Sequence, residues 1–179
     1  YGGAIVLGDS DIDIGTTSTN MNSNNLGFLS YRSFTLSENS NFRFIAGLGK
    51  LDIKTVRVDG TDNLTGKRKA NQIYSLLRYN KRLEETENDW RYSSFNKLKF
   101  IHTELNHYKE TGGNTALIFE KENINKTLLS TGLEMKHKYG FKNNFIIVPF
   151  IQAEYGLYIS RGSKSHIRYI NCLLYTSDA

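Results

Sequence analysis

Cysteine and proline are nearly missing from this chain: its 179 residues hold one of each, Cys172 and Pro149. A lone thiol closes no intrachain disulfide and leaves no cysteine-based metal framework to consider. No run of 18 apolar residues occurs, which excludes a membrane-spanning helix. A membrane barrel is not excluded, because its strands need only about 9–11 residues of alternating hydrophobicity. No helical periodicity persists and no fixed-period repeat of the solenoid type is present. A Gly-rich phosphate loop and a nucleophile elbow are also lacking. The chain opens at Tyr1 without Met, basic n-region or apolar h-region, so no signal peptide is visible.

What is abundant is aromatic and basic. Eleven Tyr and ten Phe suit β-structure and the aromatic girdles of membrane interfaces equally. The formal net charge of +5 raises nucleic acid as a partner. Lys67-Arg68-Lys69 is the one tight basic cluster, however, and no aromatics interleave with basic residues as a stacking platform requires. Solvated strand ends and lumen charge account for the cations, and no nucleic-acid partner is expected. The mean hydropathy of −0.47 fits a soluble protein or a barrel with a polar lumen.

The tail is set aside. Residues 172–179, Cys172 to Ala179, resemble a transposon-type sequencing adaptor translated in frame. Fold reasoning therefore covers residues 1–171, and dropping Asp178 raises the net charge to +6. The natural chain is expected to continue past Asn171, which makes this a piece cut at both ends.

Polar connections sort into two classes. Ser37 to Asn41, Glu84 to Asp89 and Gly140 to Asn144 are short. Gly15 to Asn25, Asp59 to Gly66 and Glu110 to Asn125 are longer and rich in Gly, Thr and Asn. The two classes alternate along the chain, as they do in a membrane barrel with tight turns at one rim and long loops at the other.

Between them lie strand-like segments. From Thr127 to Phe141, Leu129, Leu133, Met135 and Tyr139 alternate with Ser130, Gly132, Glu134 and Lys136. Period two puts these sets on opposite faces over about 14 residues, far longer than the 5–6 of an ordinary strand. Phe145 to Ser160 repeats the phase, with Ile147, Ile151, Tyr155 and Leu157 opposing Gln152 and Glu154. Pro149 removes a ladder donor and is expected near a rim or bulge. Earlier segments alternate less cleanly. Ile73, Leu77 and Tyr79 oppose Gln72 and Arg78; Ile45, Gly47, Gly49, Leu51 and Ile53 oppose Lys50, Asp52 and Lys54. The reading is an all-β antiparallel meander forming part of a transmembrane barrel. About eight strands are present, the last beginning near Ser165, in an open curled sheet. Leu129, Leu133, Met135, Tyr139, Ile147, Ile151, Tyr155 and Leu157 are expected to face lipid. Glu134, Lys136, Gln152, Glu154 and Arg78 are expected to face the lumen, paired because buried charges need partners.

Catalytic and metal readings are weaker. His102 and Glu104 share a strand face and His107 takes the other, which is not the one-face spacing of a His-Glu-x-x-His zinc helix. Asp9, Asp11 and Asp13 lack the Gly and Glu that a calcium loop needs after them. Neither a metal nor a cofactor is expected, and no enzyme is expected in this chain.

The stretch from Phe44 to Tyr155 carries an ordered set of motifs: Ala46-Gly47-Leu48-Gly49, Leu64-Thr65-Gly66-Lys67-Arg68, Asn71-Gln72-Ile73-Tyr74-Ser75-Leu76, Tyr108-Lys109-Glu110-Thr111-Gly112, Ser130-Thr131-Gly132-Leu133-Glu134 and Val148 to Gly156. In order and spacing these resemble the C-terminal translocator barrel of bacterial autotransporters (type V secretion). The resemblance implies a twelve-strand barrel in the outer membrane of a Gram-negative bacterium. It further implies lipid, the protein's own N-terminal passenger and the barrel assembly machinery as partners. Other outer-membrane barrels, a porin or a rim-active hydrolase, and a soluble β-sandwich binding module are the alternatives.

Overall fold

The computed structural model describes residues 1–14, 19–85, 90–140, 145–162 and 166–170, and these form strands with no helix among them. In chain order the strands are β1 (Gly2–Ile14), β2 (Thr19–Ser37), β3 (Ser40–Asp59), β4 (Asp62–Glu85), β5 (Trp90–Leu105), β6 (Tyr108–Lys109), β7 (Leu117–Phe119), β8 (Glu122–His137), β9 (Tyr139–Gly140), β10 (Ile146–Ile147), β11 (Phe150–Gly162) and β12 (Ile167–Tyr169).

The long strands make one seven-stranded antiparallel meander in the order β1-β2-β3-β4-β5-β8-β11. β1 and β11 each pair on one side only, so the sheet is open. At 13 to 24 residues these strands are several times longer than those of a sandwich. At about 3.3 Å per residue even the shortest runs about 40 Å, enough to cross a bilayer at a tilt. The expected eighth strand does not join this sheet. Residues 163–165 lie outside the described residues, and Ile167–Tyr169 pairs with Leu117–Phe119 in a small sheet of order β12-β7-β6. The unpaired edge of β7 offers a backbone ladder that the returning chain completes.

Two of the three expected long loops are corrected. Asp59 to Gly66 is a hairpin: Asp59 faces Asp62 across the tip, and the ladder runs unbroken from there. Gly60, at φ +61°, permits the sharp reversal. Gly15 to Asn25 is strand from Thr19 onward, with only residues 15–18 outside the described set. Gly, Asn and Thr mark polar strand extensions here instead of loops, and backbone pairing continues through them. The third, between β5 and β8, is a true excursion. Of the short turns, that at Glu38-Asn39 is a hairpin with a register shift between Thr35 and Ser37. Residues 86–89 and 141–144, where the other two turns fall, lie outside the described residues.

Pro149 sits where expected. Pairing sums carry one register from Tyr139↔Ile147 to Met135↔Ile151, yet the ladder lapses between β10 and β11, where Pro149 has no N–H to give. The Pro149 carbonyl still accepts from the His137 amide at 3.2 Å.

Candidate functional site

The pleat sends alternate residues to two faces, and cross-strand pairing assembles those faces into rows. On the more exposed outer face, Phe44, Leu77, Leu98, Leu129 and Leu157 stand directly opposite one another across five strands. A neighbouring row joins Ile5, Phe28, Leu48 and Ile73. Leu133, Ile151 and Tyr155 extend this belt, and all three are more than half exposed. Met135 pairs with Ile151, and Tyr139 with Ile147 in the same phase. All eight residues expected on the apolar face therefore share it.

The belt has edges. Beyond Leu48 and Ile73 the outer face turns polar: Lys50, Asp52 and Lys54 on β3 stand opposite Asn71, Lys69 and Lys67 on β4. On β1 it turns from Ile5 and Leu7 to Asp9 and Asp11. The alternation therefore inverts along a strand. Ile45, Gly47, Gly49, Leu51 and Ile53 lie on the inner face, while the charged residues they oppose point outward above the belt. At the other end of the belt, rings gather: Phe42–Tyr79 at 5.1 Å, Trp90–His137 at 4.5 Å and His137–Tyr139 at 4.1 Å.

The inner face carries a charge ladder. Arg78 and Lys97 stand directly opposite, a pairing that like charges disfavour. Each is answered by a carboxylate. Arg78 lies 3.4 Å from Glu134, which also takes Lys136 at 2.8 Å. Lys97 lies 2.6 Å from Glu154, and Gln152 donates to Glu154 at 3.0 Å. The five expected polar residues are thus brought together. Lys97 was missed, since its partner lies 57 residues away and only the three-strand register reveals it. Phe95, fully buried, lies under the Arg78 guanidinium at 4.2 Å. Gly132 stands opposite Phe95, and the ring occupies the space that a Cβ there would need.

The excursion between β5 and β8 folds over the inner face of the β3–β4 hairpin and makes most of the buried core: Leu64, Ala70, Tyr108 and Ala116. Two arginines pin it. Arg68 donates to the Asn106 carbonyl at 2.7 Å and the Glu120 carbonyl at 2.9 Å, holding both ends of the excursion. Arg57 grips its middle, donating to both oxygens of Glu110 (2.7 and 3.4 Å) and to the Thr115 carbonyl at 3.0 Å. Glu110 is 2% exposed and also accepts from the Leu117 amide at 3.0 Å. Tyr108 stacks on Phe119 at 4.5 Å, and Thr65 and Thr111 exchange backbone hydrogen bonds.

The Glu110 hydrogen bond raises the Arg57 pKa, so no accessible pH discharges that cation. Burial lowers Arg68 and raises the Tyr108 phenol. A raised phenol pKa is stability present below the ordinary tyrosine range and lost as pH rises through the folded value. The docked excursion therefore loosens in strong alkali. Arg57→Ala strands a buried carboxylate, a defect of about 3–5 kcal/mol. Local opening relieves it, so tryptic cleavage at Lys109 and Lys121 should speed up on the order of 100- to 1000-fold while the long strands stay folded. Unchanged cleavage rates would refute the clamp.

His102 bonds Asn125 at 2.7 Å and Glu104 pairs with Lys121 at 2.6 Å. Asn20 donates to Asp11 and Asp13 at 2.9 and 3.1 Å. No group of His, Cys, Asp and Glu able to hold a metal ion occurs among the described residues.

Comparison with known proteins gives a family match. A family model described as Autotransporter beta-domain covers residues 1–165. No curated protein and no solved structure matches the chain.

Proposed function

The chain belongs to the autotransporter β-domain family, an outer-membrane translocator class, and on that premise we propose that it anchors a secreted passenger and supports its export to the cell surface. The observation that carries the reading is the pairing of an exposed apolar belt with an inner charge ladder across a single open meander. In hydrocarbon every backbone group must be paired, which a ladder does for all strands except its two edges. Those edges call for further strands of the same protein to close the barrel.

In this reading Leu129, Leu133, Met135, Tyr139, Ile147, Ile151, Tyr155 and Leu157 face lipid. Arg78, Glu134, Lys136, Gln152 and Glu154, with Lys97, line a hydrated lumen. The belt from Ile147 on β10 to Ile159 on β11 spans about 40 Å of chain, which a tilt near 45° brings to about 28 Å, near the height of a barrel's apolar band. The rings around Trp90, His137 and Tyr139 fall at its lower edge, where interfacial aromatics sit. The hairpin of β3 and β4 then projects outward, with the β5–β8 excursion folded across the mouth. Assembly machinery of the outer membrane would insert the barrel, as for other barrels of this class.

The test is surface display. The full-length protein is expressed in a Gram-negative host, and external protease is added to intact cells. The passenger should be cleaved while the barrel keeps its heat-modifiable gel migration. A folded barrel whose passenger stays protected refutes the export role.

A further inference from the structure

Above the apolar belt the outer face carries an unpaired cation patch. Lys54 and Lys67 are directly opposite across β3 and β4; Lys69, opposite Asp52, stands one same-face pair toward the belt, and Lys50, opposite Asn71, one pair further. All four are exposed. Cross-strand partners lie only about 5 Å apart at Cβ, so opposed lysines repel. The inner-face pair Arg78 and Lys97 meets the same difficulty and is relieved by two carboxylates. Among the described residues, none of Lys50, Lys54, Lys67 and Lys69 lies within ion-pair distance of an acidic group, although Asp52 sits between them. Asp52, Arg68 and Lys121 line the same depression, with Lys121 held by Glu104 at 2.6 Å.

Height decides what can reach the patch. Lys50 follows Leu48, the last belt residue of β3, by one pleat repeat, and Lys69 lies four residues beyond Ile73. At about 3.3 Å per residue and a tilt near 45°, Lys69 stands roughly 10 Å above the belt edge. Headgroups occupy about 5–8 Å on each side of the hydrocarbon core. By the same measure Lys50 stands about 5 Å above the belt edge, inside that layer, and Lys54 and Lys67 about 14 Å above it. The lysines thus climb on the lipid-facing side from the phospholipid headgroups to a height that only a larger glycolipid headgroup fills. Lysine suits this ligand as a flexible point charge.

We infer that Lys50, Lys54, Lys67 and Lys69 form a binding site for the phosphate groups of an anionic glycolipid in the outer leaflet. The inference rests on the proposed outer-membrane insertion, with the β3–β4 hairpin outside. Bound phosphate removes the repulsion between Lys54 and Lys67 and fixes the height of the hairpin against the bilayer. Near a charged membrane each lysine adds roughly a fivefold gain in affinity.

The full-length protein is folded into phosphatidylcholine vesicles containing either phosphorylated lipopolysaccharide or its dephosphorylated form, and bound glycolipid is counted by fluorescence transfer. A Lys54→Gln, Lys67→Gln, Lys69→Gln triple variant runs in parallel, with heat-modifiable migration reporting insertion of each. The expected result is preference for the phosphorylated form, lost on the order of 100-fold in an inserted triple variant. Equal binding by two inserted proteins overturns the site while leaving the translocator reading intact. Failure of the wild type to insert overturns both. Displacement of the glycolipid by millimolar inorganic phosphate makes this a free-anion site and overturns the lipid assignment.

Discussion

Phe95→Ala should cost the folded barrel about 3–5 kcal/mol, the largest single loss expected from the inner face. Phe95 is fully buried, and its ring supports Arg78 at 4.2 Å while filling the notch above Gly132. Removing the ring leaves a void and frees Arg78 from the direction that carries it to Glu134. Gly132→Ala attacks the same junction from the other strand. Its Cβ meets both the Phe95 ring and the Ala153 carbonyl, and the carbonyl belongs to β11 and cannot swing away. Overpacking of this kind costs about 1–3 kcal/mol. The two substitutions should be less than additive, by roughly 0.5–3 kcal/mol, because the ring clash vanishes with the ring. Urea unfolding in lipid vesicles, followed through Trp90, the chain's single tryptophan, measures all three. Full additivity would mean that Phe95 and Gly132 do not share one packing contact.

The same junction shows what a sequence can and cannot disclose. From Leu129 to Met135 apolar and polar residues alternate with Thr131 as the one polar residue on the apolar side, so the two faces of β8 are legible from composition and the pleat. Ser130-Thr131-Gly132-Leu133-Glu134 was likewise visible as a motif. Its physical sense was not, because Phe95 lies opposite Gly132 only through a register set by the whole meander. Lys97 escaped for the same reason. β3 misleads in another way. Its pleat runs unbroken from Phe42 to Val58, yet the apolar residues change sides along it: Phe44 and Leu48 point outward, Leu51 and Ile53 inward. A strand that crosses two solvents exchanges the meaning of its faces, and a pattern of hydrophobicity does not mark the crossing. Asp59 to Gly66 was expected as a loop for that reason. Polar residues at a hairpin that projects into water look no different from a disordered connection. The inward fold of residues 106–121 depends on Arg57 and Arg68, whose partners are up to 58 residues away.

Leu129→Arg should cost about 2–4 kcal/mol in a lipid bilayer, because Leu129 sits inside the belt between Leu98 and Leu157. The reason is desolvation: a guanidinium held in hydrocarbon loses its hydration and finds no carboxylate on the outer face within that row. Asn63→Arg provides the matching control. It is exposed on the same face by the pleat, but it lies ten residues beyond Ile73 near the hairpin tip. There the change should cost no more than about 1 kcal/mol. The pair separates two physical worlds. Leu129 is already 55% exposed, so in a water-soluble sheet its replacement by arginine would shift stability by only about 0.5 kcal/mol either way. A steep difference between the two sites, measured by urea unfolding in vesicles, requires hydrocarbon against Leu129. A flat response would mean that water meets this face, and neither the lipid-facing belt nor the headgroup height of the lysine patch would survive it.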